Sequence, residues 1–185
     1  MPNYLINTAA ALSVILAIAA PAAQAGPAGK VVVMESVAPV VAGSTWAWAP
    51  FSTSSPDPRV ANDIVQERVR VAVETSMAGH GLRRAAPMDA RYLVTYHAAV
   101  ANKVKVDSTP NMGRVCGFRG CITGSGSTFD VTQYAEGTLI IDIVERQTGR
   151  LVWRAASKKK VTEKDVTQAK INAVVADMTK SLPKA

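Results

Sequence analysis

Apolar positions along the chain follow two periods, and the switches between them outline the elements. Lys30 to Glu35 (KVVVME) is a β-branched run and reads as a strand. Thr45-Trp46-Ala47-Trp48-Ala49-Pro50 alternates large and small, which puts both tryptophans on one face of a second strand that Pro50 ends. Ser52 to Pro58 is a loop by composition. Val65, Val69, Ala72, Val73 and Met77 then recur at helical spacing; Asn62 is placed to cap the first turn, and Gly79-His80-Gly81 supplies the stop. In the next strand Tyr92, Val94, Tyr96, Ala98 and Val100 lie on one face, and Leu93, Thr95, His97 and Ala99 on the other. Alternation continues through Lys103 to Val106, as in a ribbon that runs past the edge of the core.

Asp107 to Ser127 has no period of its own, contains Pro110 and both cysteines, and is expected to be the tip of a long hairpin. Thr128 to Tyr134 would be the return arm, with Ala135-Glu136-Gly137 a bulge. Thr138 to Val144 (TLIIDIV) is nearly all apolar, as a central strand should be. A turn at Arg146 to Gly149 leads to its antiparallel partner, starting at Leu151. A last helix from about Val166 to Ser181 carries Ile171, Val174, Val175, Met178 and Leu182 on one stripe, and Pro183 stops it. Two helices with one apolar face each, beside five or six strands, give a two-layer α+β domain. The sheet is mostly antiparallel and both helices lie on one of its faces.

The first residues add an address. Ala9 to Ala20 is an uncharged apolar run, followed by Pro21 and by Ala23-Gln24-Ala25, whose small first and third residues suit signal peptidase. Residues 1–25 therefore read as a signal peptide cut between Ala25 and Gly26, and 26–185 as one exported domain, periplasmic or secreted. The run is shorter than the roughly 20 residues a spanning helix needs, so no transmembrane segment is expected in the mature chain. The first cysteine is Cys116, so no lipid-accepting cysteine follows the run.

Export changes the meaning of the charge. Lys+Arg 21 against Asp+Glu 14 gives +7, and no charged residue precedes Lys30. An exported basic domain faces an envelope protein or an anionic envelope component, not nucleic acid. The excess is concentrated between Arg150 and Lys164, where Arg154, Lys158, Lys159 and Lys160 form a possible contact patch. The plainer reading is a strand end that lysines protect from edge pairing.

Candidate chemistry is sparse. Cys116 and Cys121 flank Gly117-Phe118-Arg119-Gly120 and are expected to pair in an oxidising compartment. A loop this small is worth only about 2 kcal/mol, so the bond shapes the tip more than it stabilises the domain. Redox centres usually have two intervening residues at a helix start, and here there are four. A metal would need His97 or His80 to join the cysteines, and both lie elsewhere in the pattern, so no metal or other cofactor is expected. His97, Tyr96 and Asp142 could form a hydrolase-like centre if all three shared one sheet face. Asp142 inside an apolar strand needs a donor, for which Arg154 and Thr95 are placed, and a sheet-organising ion pair is the plainer role. Trp46, Trp48 and Trp153 could stack on a sugar, although their apolar surroundings favour the core. No nucleophile elbow, phosphate loop, dinucleotide fingerprint or zinc-protease helix occurs. The expected function is non-enzymatic, through protein or anionic-envelope contacts. A small-ligand or glycan binding module and a hydrolase around His97 and Asp142 are the alternatives.

Four segments carry a resemblance: Thr45 to Pro50 (TWAWAP), Val65 to Ala72 (VQERVRVA), Tyr92 to His97 (YLVTYH), and Gly137 to Asp142 (GTLIID) with Thr148 to Arg154 (TGRLVWR). In this order the chain resembles, from about Val31 onward, the bacterial family of exported envelope proteins called domain of unknown function 4136, many of them lipoproteins. The resemblance implies an α+β fold and an envelope location, and it brings no known reaction. The chain departs from the family in lacking the lipobox cysteine. It also carries Cys116 and Cys121 at a tip that is often rich in Gly and Tyr in relatives.

Overall fold

In the computed structural model, which describes residues 29–36, 39–50 and 59–184, six strands form one sheet. The elements are β1 (Lys30–Glu35), β2 (Thr45–Trp48), α1 (Asp63–Gly79), β3 (Arg83–Arg84), β4 (Tyr92–Gly117), β5 (Gly120–Glu145), β6 (Leu151–Lys160) and α2 (Gln168–Met178). The strand order is β1-β6-β5-β4-β2-β3. All pairings are antiparallel except those of β2, which runs parallel to both β3 and β4. A parallel neighbour needs a long crossover, and α1 supplies it between β2 and β3. The α+β class and the mostly antiparallel sheet expected from the sequence are the ones observed.

The core lies between the helices and the sheet face that carries Tyr92, Val94, Tyr96, Ile141, Ile143 and Trp153. Val69, Val73 and Met77 of α1 and Ile171, Val175 and Met178 of α2 cover this face. Trp46 and Trp48 meet edge-on, with ring centroids 5.4 Å apart, and Trp48 Nε1 donates to Glu74 at 2.8 Å. Trp153 Nε1 donates to Ser181, so both indole N–H groups leave the core satisfied. The expected caps are present: Asn62 accepts from the Val65 N–H at 2.9 Å, and Gly81 takes a positive φ after the helix stop.

Four features depart from the pattern. The region 107–127 is not an irregular tip: β4 and β5 pair without interruption to Gly117 and Gly120, leaving a two-residue turn. The expected bulge at Ala135–Gly137 is absent, because register runs straight through Val100↔Gly137 and Ala101↔Glu136. Gly137 answers a packing need, since a Cβ there would lie 2.7 Å from Val161 Cγ1. The irregularity sits instead at Ile143/Val144, opposite β6. Strand β6 continues to Lys160, so the basic run lies within the sheet. Finally, α2 starts only at Gln168, after a 3₁₀ turn at Glu163–Asp165 in which Asp165 and Thr162 form a capping box.

Candidate interaction surface

Because side chains alternate along strands, the sheet face away from the helices carries His97, Asp142, Arg154, Lys158 and Lys160. Asp142 is paired across to Arg154 and is buried. Arg154 clasps it with Nε to Oδ1 and Nη2 to Oδ2, both at 2.6 Å, a two-pronged charge-assisted contact. Thr95 is the register partner of Asp142 on the other side. Burial of this carboxylate is thus compensated by the arginine, and Arg154 is committed to it.

The other members of the basic cluster separate by face. Lys159 points to the helix side and reaches Asp165 at 3.1 Å, where Lys170 also binds at 3.2 Å. Burial pushes the Asp165 carboxyl up, but hydrogen bonds from the Thr162 hydroxyl and N–H and from the two lysines outweigh it. They hold the group well below the usual carboxylate range. Lys160 lies over the Tyr134 ring, 4.2 Å from its centroid, on the face away from the helices. Lys158 is exposed there, opposite Lys30 of β1. Of the patch expected at Arg154, Lys158, Lys159 and Lys160, Lys158 and Lys160 share this open face, while Arg154 and Lys159 neutralise acids.

Beyond Glu136↔Lys160 the β4–β5 pair runs on without a third strand among the described residues, from Asn102↔Ala135 to Gly117↔Gly120. At about 3.3 Å per residue this ribbon is about 50 Å long. A disulfide joins Cys116 to Cys121, which face each other in register with Cα atoms 3.9 Å apart, one pair short of the turn. Phe118 in the turn is fully exposed.

The hydrolase arrangement does not form. Tyr96 points to the helices, where it is buried and meets Trp48 edge-on at 6.0 Å; burial pushes its phenol up, with Arg70 working against that and Glu67 with it. His97 lies on the opposite face, in register with Ile140, and Asp142 is held by Arg154. A single face bearing all three is excluded by strand alternation. The sugar-stacking reading also loses its rings, since Trp46, Trp48 and Trp153 are all buried. A cavity of about 120 Å³ between Val65, Val69, Leu139, Ile171 and Val174 lacks any tryptophan or tyrosine in its lining. His80 is buried at the end of α1, away from the cysteines at the ribbon tip. Among the described residues no three His, Cys, Asp or Glu groups gather as metal ligands, and no helix is long and apolar enough to cross a membrane. The expected cleavage site at Ala25 and Gly26 lies outside the described residues.

What the sequence reading missed here is how far the amphipathic ribbon extends. On the face continuous with the core side, which also carries Ser108, Ser127 and Gln133, register sets Val104 and Val106 beside Phe129 and Val131, with Met112 further out. Their exposures are 60%, 58%, 67%, 58% and 83%. The opposite face carries Lys103, Lys105, Asp107, Thr109, Thr128 and Asp130. Alternation is visible at the root, from Lys103 to Val106, but further out Ser108 and Pro110 interrupt one strand and Gly126 and Ser127 the other. The pairing register was the missing signal.

Comparison with known proteins adds family and fold. No curated protein matches the chain. In fold it is similar to a PDZ domain protein from Parabacteroides distasonis, with a TM-score of 0.52 and 10% identity over 85% of this chain. It spans only 36% of that protein's chain. It is also similar to the PelC dodecamer from Paraburkholderia phytofirmans, with a TM-score of 0.50 and 13% identity, covering 84% of this chain and 98% of that one. The family model described as "Domain of unknown function (DUF4136)" matches residues 35–184, from the end of β1 to the last described residue, and the chain belongs to that family.

Proposed function

We propose that this protein is an exported component of the cell envelope that acts by contact, through its ribbon and the basic face at the ribbon's root, and not by catalysis. The observation that carries this reading is the ribbon itself. Two strands project about 50 Å beyond their last neighbour among the described residues, with six large apolar side chains, Phe118 of the turn included, in solvent. An isolated two-stranded hairpin is marginal in water, and exposed apolar patches of this kind mark interaction sites. The disulfide at the tip fits an oxidising compartment, where such a bond persists. The apolar run at residues 9–20 before Ala23-Gln24-Ala25 supports export. Lys158 and Lys160 on the open face suit anionic surfaces.

Photo-crosslinking in intact cells tests this reading. A photoreactive residue at Phe118 or Phe129 should give a defined adduct, whereas the same group at Ile64, exposed on α1, should give none. Equal adduct patterns at all three positions would contradict it.

A further inference from the structure

The projecting ribbon combines three properties. Its large side chains divide unequally between the faces: Val104, Val106, Phe129, Val131 and Met112 lie on one, with Ser108, Ser127 and Gln133 among them, and Lys103, Lys105, Asp107, Thr109, Thr128, Asp130, Thr132 and Tyr134 on the other. Among the described residues, neither long edge pairs with another strand, from Lys103 to Gly117 or from Gly120 to Tyr134. The apolar stripe is also bounded at both ends. Asn102 precedes it on its own face and Arg114 follows it, with Lys103 and Lys160 at the root and Arg119 at the turn.

We propose that this ribbon is one hairpin of a transmembrane β-barrel assembled from several copies of the chain, its Val104–Met112 face against lipid and its Lys103–Asp130 face lining the lumen. The inference rests on the envelope location proposed above. A soluble partner would need to cover one face only, whereas here one face and both edges are open together. Copies related by rotation about a barrel axis place the β4 edge of one against the β5 edge of the next. That contact is antiparallel, head-to-tail and able to close, which removes every free edge. Pro110 takes one donor from the seam and leaves the rest of the ladder. In lipid only a closed ladder satisfies the backbone of strands. From Val104 to Met112 the stripe runs about 27 Å along the strand, or about 20 Å once tilted, close to the roughly 25 Å apolar band of such barrels. Alternating lipid-facing apolar and lumen-facing polar residues are the signature of their strands. The flanking bases meet anionic headgroups. At least four copies are needed, since the smallest barrels have about eight strands.

The test uses the purified protein and dye-loaded vesicles of phosphatidylethanolamine and phosphatidylglycerol. The unaltered protein should release dye. Phe129→Asp with Val131→Asp should slow release about tenfold or more, because a charge on the lipid face is unfavourable, while Thr109→Asp should not. Far-UV circular dichroism and the thermal midpoint of the body should be unchanged in both variants, since all three altered side chains are exposed on the ribbon. Independently, single cysteines introduced by Val104→Cys, Lys105→Cys, Val106→Cys and Thr132→Cys in a Cys116→Ser, Cys121→Ser background report which face meets lipid. After vesicle binding, positions 104 and 106 should be shielded from a water-soluble maleimide and 105 and 132 should still react. Absence of both dye release and period-two shielding would overturn the proposal. So would shielding of 104 and 106 in a soluble assembly without lipid, which would mean that another protein surface covers the stripe. Export is tested separately by processing in cells, so either reading can fail alone.

Discussion

At the scale of single residues, two carboxylates do the most to organise the sheet. Asp142 sits in an apolar strand because Arg154 meets both of its oxygens at 2.6 Å. Removing the arginine leaves a buried, unpaired charge. Arg154→Ala is therefore expected to lower stability by about 2–4 kcal/mol in urea unfolding, and Asp142→Leu with Arg154→Met should recover most of the loss. Asp165 works differently, since it joins β6, the capping box and α2. Its folded carboxyl is held low, so its contribution is complete above the unfolded value near 4 and fades as pH falls toward the folded one. Asp165→Asn should lower the thermal midpoint at pH 7 and flatten its dependence on pH below about 4, relative to the unaltered protein. An undiminished acid slope in the variant would assign that slope to other groups. Asp142 was legible as unusual because it interrupts TLIIDIV, and its two candidate donors could be named from strand pairing alone. Asp165 was not legible, because a cap that faces lysines from two elements depends on how those elements meet.

At the scale of elements, the contrast is between what the body needs and what the ribbon needs. Strands β2 and β6, the inner part of β5 and both helices follow hydrophobic period because each has a buried face. Their places along the chain could be read directly, down to the Asn62 cap, although α2 begins two residues later than its period suggests. The ribbon has no buried face, so its strands were free of that constraint, and the outer part of both, 107–127, looked like loop. The expected bulge at Ala135–Gly137 failed for a related reason: a glycine demanded by Val161 looks the same in sequence as one demanded by backbone geometry. Gly137→Val should therefore destabilise the protein by about 1–3 kcal/mol, as overpacking does, without shifting strand register. Amide exchange across β4 and β5 would check this. Replacing Cys116 and Cys121 with Ser should leave the thermal midpoint of the body within a few degrees and speed exchange near the turn. A collapse of the midpoint would show that the bond also supports the core.

At the scale of the whole molecule, the fold separates into a covered body and an uncovered extension, and the candidate function belongs to the second. The body accounts for the tryptophans, the tyrosine and the buried carboxylate that a search for chemistry first lights upon. Trp48 donates to Glu74, Trp153 to Ser181, and Tyr96 packs on Trp48. Left in solvent on the ribbon and at its root are a stripe of apolar residues and the bases Lys158 and Lys160. Converting Lys158 and Lys160 to Glu should weaken retention on anionic vesicles, most at low salt because screening already limits the contact at high salt. Unchanged retention would remove the open face from the account.

Export is the claim on which the envelope reading stands, and intact-mass spectrometry of the protein recovered from a periplasmic extract tests it most directly. The account predicts a chain that begins at Gly26 and is lighter by two hydrogens than its reduced form. A full-length, reduced chain starting at Met1 and confined to the cytosolic fraction would contradict it.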